Sequence, residues 1–197
     1  MKNILILGAN GQIAKFAIDL FLKNTDFKLT LFARSISRLK EFKNLDRISL
    51  VEGDVQDLKK LNEIMPGHDV IYANLDGDLK SLADNIITAM ESASIKRLIF
   101  ISSMGIYDEV PGQSYKSVLN PYRDAALLIE KTSLDYTIIR PEWLNNKDEI
   151  DYEITHRNEK FKKPENWLSR KSVADLIVKL ASDPKLYVRD SLGINKP

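Results

Sequence analysis

Short apolar runs that alternate with helical patterns are the feature that most limits the folds open to this chain. Strands are predicted at 3–7, 28–34, 48–54, 69–75, 97–103 and 135–141, and helices at 13–23, 58–65, 79–92, 122–131 and 169–184, with a polar helical stretch at 36–42. Strands that alternate with helices form a parallel sheet, and right-handed crossovers place helices on both of its faces. The pattern therefore predicts an α/β fold built on a doubly wound parallel sheet.

The length of 197 residues suits one such domain and is marginal for two. The pattern weakens after Pro141, where the polar segment 145–165 is predicted to be a surface excursion with one short strand. Beyond it, Ser172 precedes the apolar run of the last helix and Pro184 follows its end. We predict a single domain over 1–197, with a small substrate-side excursion at about 142–168.

Charge and composition argue against several classes of protein. Lys and Arg total 29 against 28 for Asp and Glu, so the net charge of +1 does not favour nucleic acid or an anionic membrane as a partner. There is no cysteine, which excludes disulfides, thiolate metal sites and cysteine nucleophiles. The N-terminal apolar run is too short for a signal peptide, so a soluble cytoplasmic protein is expected.

The turn after the first strand is the strongest local motif. Gly8 and Gly11 in "LILGANGQIAK" lie between a predicted strand and a predicted helix. There, Gly8 allows a tight turn and Gly11 lets the backbone approach a pyrophosphate, which the amides opening the helix then face. The motif and its position predict a dinucleotide site that includes Asn10, Gln12 and Ile13.

Four segments in this order resemble a known family: "LGANGQIA", "GD" at 53–54, "FISSMGIY" and "LDYTIIRP". They resemble an atypical short-chain dehydrogenase/reductase, within the NAD(P)H-binding group that includes NmrA-like and biliverdin-IX-beta/flavin-reductase-like proteins. The likeness runs from residue 1 to about 183. It implies a Rossmann fold and a nicotinamide cofactor, and it implies the reaction less firmly because the group includes enzymes and non-catalytic sensors.

The ends of strands two to four are expected to bind the adenosine half of the cofactor, because ligands of such sheets bind at the carboxyl ends of the strands. Where an NAD-preferring site has an acid, this chain has Arg34, with Ser35 and Arg38 nearby, which favours NADP(H) over NAD(H). The resemblance places Asp54 and Val55 beside the adenine, although Asp54 is also a candidate helix N-cap. It places Asn74 and Leu75 under the ribose, and Ser102 and Pro141 also belong to the predicted cofactor site.

The fifth strand carries the candidate catalytic residue. Ser103 matches the serine that hydrogen-bonds the substrate carbonyl in reductases of this superfamily. Those enzymes follow it with Tyr-x-x-x-Lys, in which the lysine lowers the pKa of a tyrosine acid. Here Ala126 stands four residues after Tyr122, so alcohol–ketone or epimerase chemistry by the usual mechanism is not expected.

Hydride transfer to a flavin needs no such pair, because the reduced ring can take its proton from water. We therefore predict an NADPH-dependent reductase of a flavin (FMN or FAD), a quinone or a similar planar acceptor. A non-catalytic NmrA-like redox sensor is the alternative, and the oligomeric state is expected to be monomer or homodimer. Tyr107, Tyr115 and Trp143 are candidates for the acceptor pocket, and Arg140 either meets a phosphate or pairs with a carboxylate. His68 and His156 lack metal-ligand spacing, so no metal site is predicted.

Overall fold

A computed structural model describes residues 1–164 and 166–197. Within them, eight strands form one sheet in the order β3-β2-β1-β4-β5-β6-β10-β8. The strands are β1 (Asn3–Leu7), β2 (Lys28–Ala33), β3 (Ile48–Glu52), β4 (Val70–Ala73), β5 (Arg97–Ile101), β6 (Asp135–Pro141), β7 (Leu144–Asn145), β8 (Glu153–Thr155), β9 (Leu168–Ser169) and β10 (Asp190–Asn195). The helices are α1 (Gln12–Asn24), α2 (Leu58–Ile64), α3 (Leu79–Ser92), α4 (Asn120–Glu130) and α5 (Arg170–Ser182).

The sheet is parallel from β3 across to β10, and β8 joins the edge of β10 in the antiparallel sense. Its central strands are apolar on both faces, as a sheet covered by helices requires. One face packs against α1 and α5, and the other packs against α2, α3 and α4. The predicted doubly wound Rossmann-like fold is confirmed.

The strand order reverses between β1 and β4, because β2 and β3 lie on one side of β1 while β4 and β5 lie on the other. A crevice forms at such a switch point, beyond the carboxyl ends of the strands. The fold therefore places the glycine turn after β1 directly beside the residues that follow β4.

Local elements follow the predictions with some differences. The helical stretch predicted at 36–42 is present as the 3-10 helix Ile36–Phe42, which is interrupted by non-helical backbone at Leu39. The N-cap of α5 is Ser169, whose hydroxyl accepts the Ser172 N–H at 2.9 Å, so Ser172 lies inside the first turn. Strand β10 was not predicted, while β8 corresponds to the short strand expected within 145–165.

Candidate functional site

A cleft of about 1030 Å³ opens at the carboxyl ends of β1 to β4. The predicted cofactor-binding residues on its walls are Gly8, Asn10, Gly11, Gln12, Ile13, Arg34, Ser35, Asp54, Val55, Asn74 and Leu75. Residues from four separate segments, each at or just beyond the carboxyl end of a strand, therefore line one cavity. Their role in cofactor binding remains a prediction.

The turn after β1 presents the start of α1 to this cleft. Gly8 has φ +81°, a backbone conformation that side chains disfavour, and the Gly11 N–H donates to the Gly8 carbonyl at 2.9 Å. Gly11 is the N-cap of α1 and has no side chain with which to cap the first-turn amides. Free amides at a helix N-terminus form a site for an anion such as a phosphate.

The two glycines also make room for Asn74. A Cβ built on Gly8 would clash with the Asn74 carbonyl oxygen, and one built on Gly11 would clash with the side-chain amide of Asn74. The Asn74 N–H donates to the Leu7 carbonyl at 2.9 Å, so this residue is held across the switch point between β1 and β4. Gly8 and Gly11 are thus required by the protein's own packing as well as by the predicted approach of a phosphate.

Asn10 connects the glycine turn to the end of β2. Its Nδ2 donates to the Ser35 carbonyl at 2.7 Å. Its Oδ1 is buried and accepts no hydrogen bond from the residues that the structure describes. Buried polar atoms are nearly always hydrogen-bonded, so this oxygen is suited to accept from a group that enters the cleft.

The end of β2 presents two cations and no acid. Arg34 and Arg38 are exposed, and neither guanidinium forms a hydrogen bond or ion pair with any of residues 1–164 and 166–197. The Ser35 hydroxyl lies 2.8 Å from that of Ser37, which also lines the cleft. Two unpaired guanidinium groups beside two hydroxyls form a donor-rich corner that fits a phosphate monoester.

The segment that follows β3 is held in place by Asn85, a residue that the sequence analysis did not identify. Asn85 on α3 donates through Nδ2 to the carbonyls of Val55 and Gln56, both at 3.1 Å. Asp54 is not the N-cap of α2, since Asp57 accepts the Lys60 N–H at 3.0 Å. The Asp54 carboxylate instead accepts the Gln56 N–H at 2.9 Å in a local turn and faces the cleft.

A second, smaller cavity of about 170 Å³ lies beyond β5 and β6. Ser103, Tyr115, Pro141 and Trp143 line it, together with the apolar side chains of Met104, Val110, Val118 and Leu119. Pro141, which is predicted for the cofactor site, lines this cavity and not the larger cleft. Ser102 lines neither cavity: it is buried, and its hydroxyl donates weakly to the Tyr122 carbonyl at 3.5 Å.

Tyr107 does not line this smaller cavity, although the sequence predicts it beside Tyr115 and Trp143 in an acceptor pocket. Its hydroxyl donates to Glu130 at 2.7 Å, and the Arg157 guanidinium lies 3.3 Å from the centre of its ring. Burial raises the pKa of this phenol well above its usual range.

The loop after β5 is shaped by Glu109, which is 3% exposed. Its carboxylate accepts the N–H of Gly105 at 3.0 Å and of Tyr107 at 2.8 Å, and it pairs with the fully buried Arg140. Of the two interpretations of Arg140, pairing with a carboxylate is therefore the correct one. Arg140 also donates to the hydroxyl and carbonyl of Ser191 at 3.1 and 3.0 Å, which ties the loop to β10.

Tyr122 lies on the wall of the larger cleft near the start of α4. Burial, with the nearby Asp76 carboxylate, raises the pKa of this phenol. Ala126, one turn further along, is buried and has no charge to oppose that effect. The lysine-tuned tyrosine acid of related reductases is therefore not reproduced at this position.

Two further negative observations concern the described residues. None of their helices is both long and apolar enough to cross a membrane, and no cluster of three or more His, Cys, Asp or Glu side chains is placed to hold a metal ion. The His68 ring lies within hydrogen-bond distance of the Met65 carbonyl at 3.1 Å and the Thr30 hydroxyl at 2.8 Å. His156 lies 2.6 Å from Asp190.

Comparison with solved structures supports the same fold over the full length. A Rossmann-fold NAD(P)-binding family protein from Shigella flexneri is 42% identical, with a TM-score of 0.89 over 100% of this chain and 94% of that one. A short-chain dehydrogenase/reductase (wide type) from Veillonella parvula DSM 2008, solved in complex with NADP, is 29% identical, with a TM-score of 0.90 over 100% and 95%.

Sequence comparison adds a curated relative and a family. The relative is an uncharacterized sugar epimerase, YhfK, of Bacillus subtilis (strain 168), which is 26% identical over 164 residues, or 73% of each chain. The model of the NAD(P)H-binding family matches residues 8–184. This match covers most of the chain and agrees with the glycine turn and the Rossmann sheet, so the chain belongs to the NAD(P)H-binding family.

Proposed function

We propose that this protein is an NADPH-dependent oxidoreductase that transfers hydride to a flavin, a quinone or a similar planar acceptor. When bound, the nicotinamide supplies the hydride, and the reduced acceptor takes its proton from water. The protein's own task is then to hold two ring systems against each other, which is catalysis by proximity.

The observation that carries this proposal is the placement of the two cavities side by side. Trp143 lines the small apolar cavity, and the next residue, Leu144, lines the cofactor cleft. In the same way, Leu119 lines the small cavity and Tyr122, one helical turn further on, lines the cleft. A cofactor in the cleft would therefore have its reactive end beside the apolar cavity.

The preference for NADPH is supported by the corner beyond β2. Arg34 and Arg38 have no anionic partner among the residues that the structure describes, and the 2′-phosphate that distinguishes NADPH from NADH would supply one. The NADP bound to the Veillonella parvula protein is consistent with this choice.

A planar acceptor is supported by the chemistry of the small cavity. Met104, Leu119, Pro141 and Trp143 contribute apolar wall, and Ser103, Gln113, Lys116 and Glu142 are among its polar residues. Tyr115 also lines it. Such a surface binds an aromatic ring by stacking and apolar contact.

Sugar epimerisation, the activity in the name of the Bacillus subtilis relative, is not proposed. That chemistry by the usual route needs an acid whose pKa is lowered towards neutrality. Tyr122 instead has a raised pKa, and Ala126 is in the place of the lysine.

The alternative is a redox sensor that binds NADP and catalyses nothing. Trp143, which lines the small cavity, and Trp167, whose ring lies 6.3 Å from it, are 60% and 57% exposed. Such a pair of exposed rings is a suitable contact surface for a protein partner. This alternative predicts tight NADPH binding without turnover.

The test measures NADPH binding by calorimetry, and NADPH oxidation with FMN, FAD or a quinone, each against a reaction without acceptor. We expect binding, and acceptor-dependent oxidation of NADPH with at least one of the three. Binding without oxidation by any acceptor would favour the sensor. Failure to bind either NADPH or NADH would overturn both functions.

A further inference from the structure

The small sheet formed by β7 and β9 connects the two cavities. Trp143 directly precedes β7 and Trp167 directly precedes β9. The Leu168 N–H donates to the Trp143 carbonyl at 2.8 Å, Asn145 Nδ2 donates to the Trp167 carbonyl at 2.8 Å, and the two indole rings lie 6.3 Å apart. One end of this sheet therefore carries the tryptophan pair, of which Trp143 lines the small cavity.

The other end of the small sheet reaches the cofactor cleft. Leu144 of β7 and Arg170, the residue after β9, both line the cleft. Arg170 Nη1 donates to the Leu144 carbonyl at 3.3 Å and to Asn146 Oδ1 at 2.8 Å. The guanidinium is therefore held against β7 and the residue that follows it, while Arg170 itself directly follows β9.

Arg170 lacks an anionic partner in the part of the chain that the structure describes. It forms no ion pair there, and its Nε and Nη2 groups donate to no acceptor among those residues. Its pKa is lowered by burial, the effect expected when a charge loses water and gains no counter-ion. A phosphate would provide both the counter-charge and the acceptors for the free N–H groups.

The position of Arg170 separates it from the corner formed by Arg34 and Arg38. Arg170 begins α5, which packs beside α1 on one face of the sheet, whereas the other two arginines follow β2. The N-terminus of α1 is the expected site of the diphosphate. The phosphate nearest to Arg170 is therefore one of the diphosphate pair rather than the 2′-phosphate.

The geometry points to Arg170 as a residue that binds the cofactor diphosphate and, through β7 and β9, transmits cofactor binding to the Trp143–Trp167 pair. This inference rests on the proposed function, since it needs a dinucleotide in the cleft. It adds a binding residue from outside the glycine turn, and a physical connection from the cofactor to the wall of the acceptor cavity.

Calorimetry with NADP⁺ and NAD⁺ tests the phosphate contact. Arg170→Gln should weaken both cofactors by about 10- to 100-fold, because each carries the diphosphate. Arg170→Lys keeps the charge but loses the planar fork, so its loss should be smaller. Lys185→Gln removes one exposed positive charge beyond the far end of α5 and should leave both affinities unchanged.

Unchanged affinities in Arg170→Gln would overturn the contact, and a loss confined to NADP⁺ would move it to the 2′-phosphate. If the parent protein binds neither cofactor, the proposed function itself fails, which is a different outcome. The unfolding midpoint of each variant separates lost binding from lost folding. If Arg170→Gln does not fold, the Arg170→Lys result decides, and equal affinity to the parent then overturns the contact.

Intrinsic fluorescence tests the transmission, because Trp143 and Trp167 are the only two tryptophans in the sequence. The probe is 2′-phospho-ADP-ribose, which carries the diphosphate but no nicotinamide to contact Trp143 directly. We expect a change in tryptophan emission at saturation in the parent and a reduced change in saturated Arg170→Gln. No change in the parent would overturn the transmission, and an equal change in the variant would exclude Arg170 as its origin.

Discussion

Replacement of Glu109 by glutamine should destabilise the fold more than any surface change. Glu109 is 3% exposed and its partner Arg140 is fully buried, so the substitution leaves a guanidinium charge without its counter-ion inside the protein. The amide is also a poorer acceptor for the N–H groups of Gly105 and Tyr107, which the carboxylate now binds at 3.0 and 2.8 Å.

The expected magnitude follows from these contacts. Breaking a buried ion pair on one side costs about 3–5 kcal/mol, out of a total unfolding free energy of about 5–15 kcal/mol. At about 2–4 °C for each kcal/mol in a chain of this size, the melting temperature should fall by roughly 6–20 °C. The hydrogen bonds from Arg140 to Ser191 remain, so the loss should fall within this range rather than exceed it.

Urea unfolding of a double-mutant cycle provides the assay. The cycle compares Glu109→Gln, Arg140→Met and the double variant. Because each single change leaves one buried group unsatisfied, the double variant should be more stable than the sum of the two losses predicts, by about 1–3 kcal/mol. A loss below about 1 kcal/mol in Glu109→Gln, or additive losses in the cycle, would refute the reasoning.

Three other outcomes are expected. In calorimetric titrations, Arg34→Ala should lower the NADPH/NADH affinity ratio by roughly ten- to a hundredfold, because it removes a charge-assisted contact to the 2′-phosphate. An unchanged ratio would contradict that role. In steady-state assays with the best acceptor, Ser103→Ala should reduce turnover by less than the roughly hundredfold typical of a lost general acid, while Trp143→Ala should reduce it more. A collapse in the serine variant with NADPH affinity intact would instead indicate acid catalysis. Burial raises the pKa of Tyr152 from 10.0 to about 12, so above about pH 10 the unfolded chain releases this proton first and the stability of the fold falls with rising pH. Tyr152→Phe should therefore flatten the decline in unfolding free energy between about pH 10 and 12, measured by urea unfolding. An unchanged slope would contradict this origin.

The sheet was predictable because its central strands are buried on both faces and therefore appear as continuous apolar runs. Strand β10 was not, since Asp190–Asn195 has few apolar residues and contains Gly193. The structure explains that glycine: a Cβ there would lie 2.5 Å from the ring of Phe161, which comes from the excursion. A strand whose burial depends on a residue more than thirty positions away leaves no local periodicity to detect.

Positions in the site were predictable where they follow directly from a strand end. Arg34, Asp54 and Asn74 each come within one or two residues of a parallel strand, so the sheet alone brings them to the cleft. Tyr107 lies further into a loop, where its direction depends on the hydrogen bonds of Glu109 and on a contact with Arg157. Such distant side-chain partners are not visible in the spacing of a motif.

The glycine turn shows why a motif can predict a site without proving it. Gly8 and Gly11 suit a diphosphate, but the close contact that the structure itself shows is with Asn74, from the neighbouring strand end. A larger residue at Gly11 would displace the Asn74 amide before it met any ligand, so loss of binding in such a variant would not by itself identify the phosphate site. Substitution of Arg34 tests the site more directly, because its guanidinium lines the cleft and pairs with none of the residues that the structure describes. Arg170 also lines the cleft, but its Nη1 donates to Leu144 and Asn146, so its variants need the folding control described above. The evidence for a cofactor site therefore rests less on the glycines than on arginines that lack an anionic partner in the described part of the chain.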